Sequence, residues 1–259
     1  MRCSPFVFCS LVFALGVGAL GCSVAVTVKP QTKYIGDTAI TKTATRAFAA
    51  TDVIEIENGN GDVVVTGVSG LDKITVSTKV FAFAETKTDG DAAIADLAGT
   101  IALEESAGKF YIHCNKATSS HGSAATGTTG CEGFTVQVPA GSVAAPLSLK
   151  ATAHNGDITA NGIVGAAVVH TDNGDAVASI TPTPGAVIEV STGNADATLS
   201  LPANFTADTV TLTALGAAPK VVNTDFPDVS DAAGVHRKSG GAKSITVKTE
   251  NGTVTLKKQ

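Results

Sequence analysis

The sequence predicts an all-β fold, a right-handed β-solenoid of short strands stacked in repeats of roughly twenty residues, with one short helix. Three observations predict it. One stretch is written three times, as Leu147–Ile158 (LSLKATAHNGDI), Ala167–Ala176 (AVVHTDNGDA) and Val187–Ala197 (VIEVSTGNADA). Each copy alternates apolar with small polar residues, the period of a half-buried strand. Each then reaches an Asn-Gly-Asp or Asn-Ala-Asp corner, where Asn and Gly tolerate a left-handed backbone. Finally, charged residues are 16%, aromatics 5% and Trp absent, with 27 Gly. The core must therefore come from Val, Ile, Leu, Ala and Thr, which suits thin stacked β layers rather than a helical bundle. One alternative stays open: Asn-Gly between alternating runs is also a hairpin signal, and hairpins would build an antiparallel sandwich or meander.

Taken in order, Met1 and Arg2 precede an uncharged apolar run from Pro5 to Leu20. A basic start, a run too short to span a bilayer and small residues at its end read as a signal peptide over residues 1–21. The next residues, Ala19-Leu20-Gly21-Cys22-Ser23, resemble the lipobox of bacterial lipoproteins. That resemblance implies an acylated Cys22 and a membrane partner reached through the N-terminal lipid, with ordinary signal cleavage as the alternative. Acylation leaves Cys114 and Cys131 as an even pair in an exported protein. Residues 22–46, polar and rich in Thr and Lys, read as a tether, or else as a short edge strand.

The domain proper is expected over 47–259. Ile54, Ile56, Val63 and Val65 supply strand faces around Asn58-Gly59-Asn60-Gly61-Asp62. Asp91–Ala98 breaks the pattern and reads as a helix with Asp91 as N-cap and Gly99 as stop. Strands resume at Ile101–Leu103 and Phe110–Ile112. Cys114 and Cys131 bracket a run with almost nothing to bury, which a disulfide would close, adding about 3 kcal/mol. A metal site of His113, Cys114, His121 and Cys131 is the alternative, without C-x-x-C spacing to support it. Phe134–Gly141 is a strand ended by a proline turn, echoed by Leu199–Phe205. Asn223–Gly241, with His236-Arg237-Lys238, reads as a solvated loop before the closing pair, Ile245–Leu256.

The Asn-Gly-Asp corners, the Val-Pro-Ala-Gly turn at 138–141, Leu201-Pro-Ala-Asn-Phe205 and Thr249-Glu-Asn-Gly-Thr-Val254 together resemble a bacterial family of domains of unknown function known as putative adhesins. The resemblance spans about Phe48 to Leu256 and is one of repeated pattern, not of a catalytic signature. It implies a right-handed β-solenoid and an envelope location, facing either periplasm or medium; outer-membrane anchoring is what the lipoprotein resemblance implies, through Ser23 after Cys22.

Asp62, Asp157, Asp175 and Asp196 hold equivalent corner positions, so stacked coils would bring like charges close. Backbone N–H groups would compensate; a shared Ca²⁺ ladder is the alternative, without the Gly-Gly-x-Gly-x-Asp spacing of calcium-binding β-rolls. His154 and His170 lie near successive corners and read as exposed or half-buried strand residues, with a histidine stack as the alternative. Carboxylates that recur once per repeat suggest architecture, no Ser-His-Asp order or phosphate loop is visible, and no residue is expected to be catalytic or to hold a cofactor. A net charge of −5 gives no footprint for nucleic acid. The expectation is a non-enzymatic, adhesin-like lipoprotein whose repetitive surface contacts glycan, matrix or protein. The alternatives are a periplasmic partner-binding module and a polysaccharide-active enzyme.

Overall fold

A computed structural model describes residues 31–97, 101–114, 129–216, 221–229, 235–237 and 240–259. The signal segment, Cys22, residues 22–30 of the tether, His121 and Lys238 lie outside the described residues.

In chain order the strands are β1 (Thr32–Ile35), β2 (Ile40–Thr43), β3 (Val53–Asn60), β4 (Val63–Val68), β5 (Thr75–Thr78) and β6 (Val80–Ala84). Helix α1 (Lys87–Leu97) follows, then β7 (Ile101–Ser106), β8 (Lys109–Cys114), β9 (Thr129–Cys131) and β10 (Phe134–Pro139). The three repeats form β11 (Leu147–Asn155), β12 (Ile158–Asn173), β13 (Ala176–Thr181), β14 (Val187–Thr192) and β15 (Ala197–Leu201). The remainder is β16 (Ala207–Ala214), β17 (Val221–Thr224), β18 (Val235–Arg237), β19 (Ser244–Thr249) and β20 (Thr253–Lys258). The fold is thus all-β with a single short helix among the described residues.

Two ladders carry the structure. The first runs β7-β8-β3-β11-β12-β14-β19-β16-β18 and the second β2-β5-β10-β4-β12-β13-β15-β20-β17. Strand β12 belongs to both, its first half in the second ladder and its second half in the first, which joins seventeen strands into one hydrogen-bonded network. The central pairings are parallel. Antiparallel strands flank them: β7 on β8, β5 between β2 and β10, and β18 on β16. The remaining three strands form a small antiparallel sheet, β1-β6-β9.

This arrangement decides what the Asn-Gly corners do. The strands on either side of a corner do not pair as a hairpin: Leu147 lies beside Gly165, and Ile158 beside Ala176 and Val63. Instead each corner carries the chain from one ladder to the other and bonds to the next corner, Gly61 N–H to the Asn155 carbonyl (2.7 Å) and Gly156 N–H to that of Asn173 (3.0 Å). A Cβ at Gly174 (φ +153°) would lie 2.3 Å from the Gly156 carbonyl oxygen, so glycine at 174 lets these two corners approach this closely.

Alternation sends one face of each ladder inward. Ile54, Ile56, Leu149, Val169, Ile188, Val190 and Ile245 from the first meet Val63, Val65, Ile158, Leu199, Val254 and Leu256 from the second in one continuous buried cluster. Alanines at 151, 160, 167, 176, 178 and 197 keep the layers thin.

Four expectations are corrected. First, the order of strands in space departs from chain order at both ends. β3/β4 is flanked by β8/β10 on one side and β11/β12 on the other, while β19/β20 lies between β14/β15 and β16/β17, so the chain is not one regular stack. Second, the tether ends early. β1 pairs with β6 and β2 with β5, and the Arg46 guanidinium reaches buried Asp52 with two bonds (2.6 and 3.0 Å), donates to the Ser106 carbonyl (2.7 Å) and covers the Phe110 ring. Third, α1 starts at Lys87. Thr86 Oγ1 accepts the Asp89 N–H (3.2 Å) and donates to its carboxylate (2.9 Å), while Asp91 lies inside the helix, paired with Lys87. Gly90 hid the first turn in the sequence; it is glycine because a Cβ there would meet the Tyr34 ring at 2.4 Å. Fourth, the 223–241 loop contains strand β18 and the end of β17.

Candidate binding surfaces

The corners form a built edge between the two ladders. Asn155 donates to Asn60 Oδ1 (3.1 Å), Asn173 to Asn155 (3.1 Å), Asn194 to Asn173 (2.9 Å) and Asn251 to Asn194 (2.8 Å), a ladder of five amides. Beside it, each aspartate Oδ1 accepts the backbone N–H of the next corner: Asp62 from Asp157 (3.0 Å), Asp157 from Asp175 (2.8 Å), Asp175 from Asp196 (3.0 Å) and Asp196 from Thr253 (2.7 Å). The carboxylates are thus spent on backbone donors, which offsets their mutual repulsion. Just inside, the hydroxyls of buried Thr171, Thr192 and Thr249 donate to the carbonyls of Gly156, Gly174 and Ala195, at 2.8 Å each. Among the described residues no group of three or more His, Cys, Asp or Glu side chains is placed to hold a metal ion.

The outward faces of the two ladders differ. Across the second, register aligns Thr41, Ser77, Thr135, Val64, Thr159, Val177, Thr198, Thr255 and Asn223 in one row. A parallel row holds Thr43, Thr75, Gln137, Thr66 and Asn161, then Ser179, Ser200 and Lys257. Strand spacing sets neighbours in a row about 4.8 Å apart. The result is a hydroxyl- and methyl-bearing face with one charge in these two rows.

The first ladder's outer face carries ionisable groups instead. Lys109 and Lys150 both pair with Glu55 and hold its carboxyl below the usual range. Tyr111 donates to Glu57 (2.5 Å), which with burial pushes its phenol up to about 12, and stacks on His113, whose Nε2 contacts Glu104 (3.0 Å). Further along, Asp172 is held by His154 Nδ1 (2.5 Å) and His170 Nε2 (3.0 Å), which keep its carboxyl below the ordinary range, and His170 Nδ1 contacts Ser191 Oγ (2.9 Å). A cleft of about 330 Å³ opens here, lined by His170, Asp172, Glu189, Ser191, Asn194 and Lys248 among others.

The two histidines do not stack, because register places Thr152 beside His170 and brings His154 next to Asp172 instead. Aligning the repeats on their corner asparagines puts His154 against Asp172, a signal present in the sequence. Glu55, Glu57, Lys109, Tyr111 and Lys150 had no such signal, because they meet across segments distant in the chain. Cys114 and Cys131 are disulfide-bonded, with Cα atoms 5.9 Å apart, joining the end of β8 to β9.

The architecture has a solved counterpart. It matches the crystal structure of a putative cell adhesion protein from Clostridium sporogenes over 89% of this chain and 100% of that one, with a TM-score of 0.57 at 12% identity. A weaker likeness, TM-score 0.30 at 12% identity over 86% of this chain and 98% of that one, is to a putative adhesin from Bacteroides fragilis. No protein-family model matches the chain, and no curated protein matches it in sequence. What is shared is therefore the fold: a mostly β domain with parallel ladders.

Proposed function

We propose that this chain is an adhesin-like protein of the bacterial cell envelope, a β-solenoid held at the outer membrane through an acylated Cys22, whose long faces bind glycan, matrix or protein. The observation that carries this reading is the nine-residue row from Thr41 to Asn223 on the second ladder. Hydroxyl donors and acceptors repeated at strand spacing suit a repetitive polar ligand, which would be held by many weak contacts whose affinities combine. The solved counterpart's description as a cell adhesion protein supports the same reading.

The test is protease accessibility on intact cells, with lysed cells as control and the mass of the mature N-terminal peptide read from the same sample. Digestion on intact cells with a lipid-modified Cys22 is the expected result. Protection until lysis would replace the adhesin with a periplasmic partner-binding module.

A further inference from the structure

We propose that the cleft on the first ladder is an acyl-transfer site, with Ser191 as nucleophile, His170 as its base and Asp172 as the carboxylate that orients the base, acting on small unhindered carboxylic esters. This goes beyond surface binding and rests on a different face of the molecule.

Three side chains meet here at the distances such a relay needs. Ser191 Oγ lies 2.9 Å from His170 Nδ1, and His170 Nε2 lies 3.0 Å from Asp172 Oδ1. One tautomer satisfies both contacts: the proton on Nε2 is donated to Asp172, which leaves Nδ1 free to accept from the serine at 2.9 Å, closer than the other acceptor of that hydroxyl, Glu189 Oε1 at 3.4 Å. The backbone fixes this geometry. His170 and Asp172 are two apart on β12 and so share a face, and Ser191 is the register partner of His170 on β14. The second oxygen of Asp172 is taken by His154, which restrains the carboxylate. Ser191 is 5% exposed, sheltered from bulk water yet lining the cleft. Unlike the corner aspartates the trio occurs once: at the position of His170, the neighbouring strands carry Thr152 and Ser191.

In the reaction Ser191 Oγ attacks the ester carbonyl carbon while its proton passes to His170 Nδ1. Collapse of the tetrahedral intermediate breaks the bond to the alkoxy oxygen, which takes that proton and leaves as the alcohol. Water then attacks the acyl-serine, giving its proton to His170, and the second collapse returns the proton to Ser191 and releases the acid. The N–H groups of Gly193 and Asn194 are occupied by the carbonyls of Thr171 and Asp172. The charge on the intermediate's oxygen therefore falls to Lys248, the register partner of Ser191, which lines the cleft with its ammonium 3.8 Å from Glu250. With one cationic donor, turnover is expected to be slow.

The experiment treats the mature protein with a fluorophosphonate and maps the adduct by peptide mass, alongside hydrolysis of p-nitrophenyl acetate by wild type, S191A, H170Q and K248M. The expected result is a phosphonyl adduct on Ser191, hydrolysis slowed at least about 10²-fold in S191A and H170Q, and slowed about 10²-fold in K248M. The adduct is read on wild type and so does not depend on a variant folding; matched circular dichroism qualifies the others. Absence of an adduct on Ser191, or a folded S191A as fast as wild type, overturns the proposal.

Discussion

The two outward faces belong to two ladders on the same core, yet one is lined with hydroxyls and the other with ion pairs and imidazoles. Inward, both ladders obey one rule, alternating Val, Ile, Leu and Ala at full burial. Outward, the rule leaves every second position open, and the faces have filled those positions differently. Repetition in the core therefore says little about function. The Thr41–Asn223 row and the Ser191 cleft are separable properties of one scaffold.

Changes at the shared edge should erase the contrast, and changes on one face should sharpen it. The largest effect is expected from Gly174→Val, which forces a side chain against the Gly156 carbonyl and so disturbs both ladders. A loss of about 4 kcal/mol is expected, read as a drop in Tm of roughly 8–16 °C in a thermal melt. Next comes Arg46→Ala, which strands Asp52, 2% exposed, as a buried charge at one end of the first ladder. Asp52 would keep the Ala49 N–H as a donor but lose its counter-charge, and a lower Tm should result, with hydrogen exchange accelerating in β7 and β8 before β13 and β15. The same pair sets an acid limit. Arg46 holds the Asp52 carboxyl below its ordinary value, so its contribution is complete above the unfolded carboxylate pKa of about 3.9 and disappears as pH falls through the lower folded value. Melts between pH 5 and 2 should show wild type approaching R46A.

Smaller effects separate the faces. Lys150→Glu places a second carboxylate against Glu55 and should cost about 0.5–1 kcal/mol without altering ligand binding. Thr159→Arg, in the middle of the hydroxyl row, should leave Tm within about 1 °C and weaken cell or glycan binding at least 10-fold. If K150E weakens binding instead, the ligand face has been misassigned. The smallest effect is expected from EGTA: with the corner carboxylates already accepting N–H bonds, Tm should move by less than about 1 °C.

The repeats were legible because their signal is local. Period two, the Asn-Gly-Asp corners and the alternating core residues between Leu147 and Leu201 are each read within a single repeat of about twenty residues, and the observed strands follow them closely. Stacking order was not legible, since the residues that pair β3 with β11 or β14 with β19 are chemically interchangeable with those of other coils. Arg46 read as tether because its partners, Asp52, Ser106 and Phe110, give no mark of a common destination. The relay was half legible. His170 and Asp172 stand two apart, but bringing Ser191 alongside requires knowing that the coils stack in parallel with a step of 21 residues.

The placement of β19 and β20 has a consequence for how the molecule is assembled. Residues 244–258 follow β16 and β17 in the chain but lie inside them, touching β14 and β15 on the other side. A chain emerging from a ribosome or an export channel N-terminus first reaches a state with a slot two strands deep, bounded by exposed β14 and β15 edges. Residues 244–258 close that slot like a keystone, and the long separations they bridge make the step slow compared with hairpin formation. The two ladders therefore lock last at their C-terminal end, and the core between β14/β15 and β16/β17 is completed only when residues 244–258 are in place.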